Sequence, residues 1–177
     1  MNKLYSLLLL SLWLLLSSHS AFSQDLNKLD EKNGLQKFIL NSDVRNLTDV
    51  EPDPSFKANE DFNRYKYHGV LTVGNYKVHD IVLDTYKNRI RIIYFKTEDD
   101  YDTKGLLKVL RLAYGQDEQS SSFGSTRHKW DADKVVLFFH TPFDIKDKGT
   151  GYFCYKPISD EMVKDHEERE KKAVDEL

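Results

Sequence analysis

The chain has 177 residues, 40% of them hydrophobic and 12% aromatic, with 26 basic against 29 acidic side chains and a formal net charge of −3. That balance argues against a nucleic-acid partner, which needs a basic stripe, and against electrostatic docking on anionic lipid. The aromatic share is too high for a disordered chain, and the single cysteine, Cys154, forbids an intramolecular disulfide.

The segment from Met1 to Gln24 carries the order of a secretory signal peptide. Lys3 supplies the positive start. An apolar run from Leu7 to Leu16 follows, broken only by Ser11, and Ala21-Phe22-Ser23 stands before Gln24. The run falls short of the about 20 apolar residues of a membrane span, so cleavage between Ser23 and Gln24 is favoured over a retained anchor. No Cys follows the run, which excludes a lipid-modified N-terminus. Residues 1–23 therefore read as a signal peptide and the product as secreted, periplasmic, with no stable membrane anchor after cleavage.

Removal of the segment Met1 to Ser23 leaves a chain the size of one domain, and the loss of Lys3 makes its charge more negative by one. Residues 24–34 read as a mobile lead-in, with a frayed helix over Asp25 to Asn33 as the alternative. Phe38-Ile39-Leu40 suits a first strand. Asn41-Ser42-Asp43 offers N-caps for a short helix carrying Val44 and Leu47, ended by Glu51-Pro52-Asp53-Pro54. Tyr65, Tyr67, Leu71 and Val73 alternate on one side of the chain, and Gly74-Asn75 and Lys87-Asn88 are turn signals. With Tyr76 to Leu83 and Arg89 to Phe95 they predict an antiparallel meander.

From Asp99 to Tyr114 the period changes. Leu106, Leu110 and Ala113 form one helical stripe, with Asp102 or Thr103 as N-cap and Gly115 as C-cap. Residues 116–126 read as a polar loop. Arg127 to Trp130, Lys134 to His140 and Tyr152 to Tyr155 read as strands. In the second, Val135, Leu137 and Phe139 face one way and Val136, Phe138 and His140 the other, the pattern of a central strand. Residues 159–177 read as a charged, projecting or weakly docked helix, whose end Val174-Asp175-Glu176-Leu177 only partly matches a retrieval signal.

The expected fold is α+β: residues 35–158 forming a single antiparallel sheet of about five or six strands with one helix packed across it, then a charged C-terminal helix.

No catalytic set is evident. His68 and His79 could face each other across a hairpin, but no further ligands stand at metal spacing. Cys154 with His140 could imitate a thiol and its base, yet Cys154 lies between Phe153 and Tyr155, a packing environment in which a thiol is inert. Asp99-Asp100, Asp117-Glu118 and Glu167-Glu168 read as solvated pairs. Gly149-Thr150-Gly151 is a turn, not a phosphate loop, so no cofactor is expected. Aromatics on the wet face of the sheet are the better lead, and Tyr94 and Trp130 are the candidate binding residues for a protein, peptide or glycan ligand.

The segment ending Ala21-Phe22-Ser23-Gln24, the run Gly105-Leu106-Leu107-x-x-Leu110-x-x-Ala113-Tyr114-Gly115 and Trp130 before the Val135 strand resemble small secreted proteins of Bacteroidetes-type bacteria with no assigned function, over about residues 34–157. The resemblance implies a periplasmic or outer-surface location and transfers no catalytic residue. The expected function is a non-enzymatic binding or interaction module of the envelope. The alternatives are a small inhibitor or immunity protein, and an enzyme of unrecognised type using His140, Cys154 or surface carboxylates.

Overall fold

A computed structural model describes residues 25–122, 124–144 and 146–176. The expected signal peptide lies outside them. Among the described residues, no helix is long and apolar enough to cross a membrane.

Among the described residues, eleven strands form two sheets. A two-stranded piece pairs β1 (Gly34–Leu35) with β2 (Phe38–Ile39). The main sheet contains β3 (Glu51–Pro52), β4 (Phe62–Tyr67), β5 (Leu71–Val73), β6 (Tyr76–Tyr86), β7 (Arg89–Thr97), β8 (Glu118–Ser122), β9 (Ser125–Asp131), β10 (Val135–Pro142) and β11 (Thr150–Tyr155). Its order is β3-β4-β6-β7-β11-β10-β9-β8, with β5 beside β4 on the same edge of β6, and every pairing is antiparallel.

The sheet thus has nine strands rather than five or six. Two of the additions are β3, too short to show a pattern, and β5, whose Leu71 and Val73 continue the alternation of Tyr65 and Tyr67 but form a separate strand from β4. The third, β8, has only exposed residues and lacks the alternation that marks a half-buried strand. It is an edge strand, where polar side chains also discourage pairing with another chain.

Among the described residues, three α-helices accompany this sheet: α1 (Leu26–Lys32), α2 (Asp100–Tyr114) and α3 (Lys156–Asp175). Strand alternation sends Ile81, Leu83, Ile93, Phe95, Phe153, Leu137, Phe139 and Trp130 to one face, and all are essentially buried. α2 covers that face with Leu106 and Leu110. Its N-cap is Asp99, one turn before the expected residues, whose Oδ1 accepts the Asp102 N–H at 2.8 Å. Gly115 closes the helix at φ 82°, a conformation that favours glycine. Gly105 permits close approach to the sheet, because a Cβ there would fall 1.9 Å from the Tyr76 ring.

The lead-in is ordered. α1 buries Leu29 completely, and the Asp30 carboxylate accepts the backbone N–H groups of Lys134 and Val135 at 3.0 and 2.8 Å. The C-terminal helix is docked too. Ile158 is buried, the Tyr86 hydroxyl donates to Asp165, Arg89 pairs with Glu161 at 2.6 Å, and Arg169 pairs with Asp61. Tyr86, Arg89 and Cys154 lie on the second face of the sheet, so α3 covers one end of that face and leaves the other open.

Candidate functional site

The antiparallel register sets the open end of the second face as transverse rows, because directly opposed residues share a face and lie about 5 Å apart. One row runs Lys66, Val82, Tyr94, Tyr152, Phe138, Lys129 across β4, β6, β7, β11, β10 and β9. The next runs His79, Lys96, Thr150, His140, Arg127.

The first row holds an aromatic ladder. Tyr94 and Tyr152 have ring centroids 5.7 Å apart, and Tyr152 and Phe138 are 5.0 Å apart. Guanidinium groups stand at both ends, with Arg64 Cζ 6.0 Å from the Tyr94 ring and Arg127 Cζ 5.5 Å from the Phe138 ring. Such contacts combine cation–π attraction with planar stacking.

Both ends hold paired cations, Lys129 meeting Asp131 at 2.6 Å and Glu118 at 3.7 Å at the β9 end, but the two arginines differ. Arg64 forks onto Asp84 at 2.6 and 3.0 Å, and Lys66 pairs with Asp53 at 2.9 Å. The Ser55 hydroxyl and Lys66 hold the Asp53 carboxyl down to about 2. At the other end Arg127 donates to Ser120 Oγ at 3.2 Å and meets no carboxylate among the described residues. Arg45, Arg64, Arg89, Arg91, Arg111 and Arg169 each have one within 4 Å.

A cleft of about 820 Å³ opens over the Tyr94 and Tyr152 part of the ladder, lined by these rings, His79, Lys96, His140 and Thr150 together with the β4 end; Phe138 and Arg127 continue the ladder beyond its lining. That is within the range of about 300–1,000 Å³ typical of ligand sites. Burial, then the charges of Arg127 and His128, push the His140 imidazole below its ordinary value and favour its neutral form. His79 Nε2–H donates to the Thr97 carbonyl at 2.9 Å, and its Nδ1 is 3.2 Å from Asp80.

Of the two aromatics singled out from the sequence, Tyr94 lies in this cleft. Trp130 does not. It is fully buried on the opposite face, its indole N–H donating to the Gly115 carbonyl at 2.9 Å. Phe138, Tyr152 and Arg127 complete the ladder. Their signal in the sequence is strand alternation, which becomes informative only once the register is known.

The thiol and imidazole are not brought together. Cys154 is opposite Val136 and His140 opposite Thr150, a separation of about 13 Å along the strands. Cys154 is only partly buried, its sulfur 3.7 Å from the Ser159 hydroxyl. His68 is exposed near Glu51, and among the described residues no three His, Cys, Asp or Glu side chains are placed to hold a metal ion.

A second polar constellation lies on the helix-covered face. His128 Nδ1–H donates to Asp117 Oδ2 at 2.5 Å, its Nε2 is 2.9 Å from the Thr141 hydroxyl, and Arg111 Nε donates to Asp117 Oδ1 at 2.6 Å. The carboxylate–imidazole–hydroxyl order is that of a hydrolase triad. Here Asp117 and His128 are buried and the cleft is on the other side of the sheet. The network pins the end of α2 to β9 and β10. Asp117 is thus not the solvated turn residue expected. Burial works against its charged form, but hydrogen bonds from Arg111 and His128 outweigh that and keep its carboxyl below the usual value.

Comparison of the chain with family models, with curated proteins and with solved structures found no match.

Proposed function

We propose that this protein is a non-enzymatic binding module of the bacterial envelope, exported by its segment Met1 to Ser23, that captures a soluble ligand on the open end of its sheet. The observation that carries the proposal is the Tyr94–Tyr152–Phe138 ladder, whose first two rings line a cleft of about 820 Å³ that none of the described helices covers. Aromatic side chains left beside a cleft supply large apolar contact area at low entropic cost. Polar groups around them, here His79, Thr150 and His140, supply orientation. The separation of Cys154 from His140 favours binding over nucleophilic catalysis.

The test is a screen of labelled protein against immobilised glycans and peptides, with Tyr94→Ala in parallel. Wild type should retain a ligand that the variant loses at least tenfold while remaining folded by circular dichroism. Equal retention by both proteins would rule out the ladder as the binding surface.

A further inference from the structure

We propose that the ligand is an acidic glycan, its sugar rings stacked along the Tyr94–Tyr152–Phe138 ladder and an anionic group paired with Arg127. This rests on the binding reading above and adds the chemistry of the ligand.

Three observations converge on it. The site lies mid-sheet, where β6, β7, β11 and β10 are each paired on both sides. An extended peptide adding itself as a strand needs a free edge, so recognition here must run through side chains. The ladder is three rings long, with steps of 5.7 and 5.0 Å. That length accommodates more than one stacked unit, and the row continues beyond the cleft lining through Phe138 to Arg127. The pairing of the two arginines differs, although Lys129 beside Arg127 on β9 is itself paired with Asp131 and Glu118. Arg64 at one end is neutralised by Asp84, whereas Arg127 at the other donates only to Ser120 and rests on Phe138, with no carboxylate among the described residues.

A guanidinium is preorganised for a carboxylate or sulfate through two parallel N–H donors. Next to Arg127 in the same row stands His140, and Thr150 follows it. An anion arriving at Arg127 therefore meets further donors in the direction of the cleft.

The experiment is a glycan array carrying uronate-, sialate- and sulfate-bearing oligosaccharides beside neutral counterparts of the same length, read with wild type, Arg127→Gln, Arg127→Lys and Tyr94→Ala. Wild type should favour an acidic glycan over its neutral partner at least tenfold. Arg127→Gln should erase that preference, Arg127→Lys should restore part of it, and Tyr94→Ala should lose acidic and neutral glycans alike. Neutral glycans held as tightly as acidic ones, in a Tyr94-dependent way, would overturn the acidic assignment and leave the binding face standing. Retention of peptides alone would overturn the glycan assignment. No Tyr94-dependent retention of any kind would remove both proposals.

Discussion

The two faces of the main sheet are built from the same strands and from similar aromatic residues, yet they have opposite fates. On the covered face Trp130, Phe139, Phe153 and Phe95 are buried under α1 and α2. On the other face Tyr94, Tyr152 and Phe138 stand one residue away along the same or adjacent strands and remain half-buried. The tyrosine hydroxyls, and the cations around the rings, make partial exposure tolerable, whereas the first face packs its aromatics among aliphatic side chains and pairs its buried polar groups, Asp117 and His128, with each other. An aromatic in a strand therefore says little about binding until its face is known.

Substitutions can break this contrast at graded cost. Trp130→Ala should have the largest effect, about 3–5 kcal/mol lost in urea unfolding, because it opens a large cavity and orphans the Gly115 carbonyl. A loss below about 1 kcal/mol would mean that the covered face is not a packed core.

Asp117→Asn should cost about 2 kcal/mol, less than a fully buried pair because Arg111 is partly exposed. It should also change the acid response. The folded-state carboxyl lies below its ordinary value of 3.8, so its stabilisation is present above that value and is lost as pH falls through the folded one. The wild-type unfolding midpoint should accordingly drop below about pH 4 more steeply than that of Asp117→Asn. Parallel curves would show that the network does not anchor α2. The smallest effect belongs to Tyr94→Ala, about 1 kcal/mol, the worth of an aromatic pair. A loss approaching that of Trp130→Ala would place Tyr94 in a core.

Local rules made much of the fold legible. The apolar stripe of Leu106 and Leu110 and the Gly115 cap marked α2 and its C-terminal end, while its N-cap, Asp99, stands one turn before the expected residues. Lys87-Asn88 turns β6 into β7 with both residues at positive φ, as a tight hairpin requires. Two-sided apolar patterning placed β10 inside the sheet, where it pairs with β11 and β9. What local rules missed depends on distant partners. α1 is ordered because Asp30 reaches the N–H groups of Lys134 and Val135, far along the chain. β8 is a strand because β9 lends it a ladder, not because of its own polar residues. At the candidate site Tyr94 was legible as an aromatic on a half-wet strand. The ladder was not, since it needs the β7–β11 register.

That register has a consequence for the order of events in the molecule's life. β11 follows Gly149 in the chain yet sits between β7, which ends at Thr97, and β10, which begins at Val135. Until it inserts, each half of the sheet presents an unpaired inner edge, the kind of surface on which chains aggregate. The contact between Tyr94 and Tyr152 bridges the same seam. A chain whose β11 has not yet inserted has no ladder, so the Tyr94–Tyr152 contact doubles as a report that the two halves of the sheet have been joined.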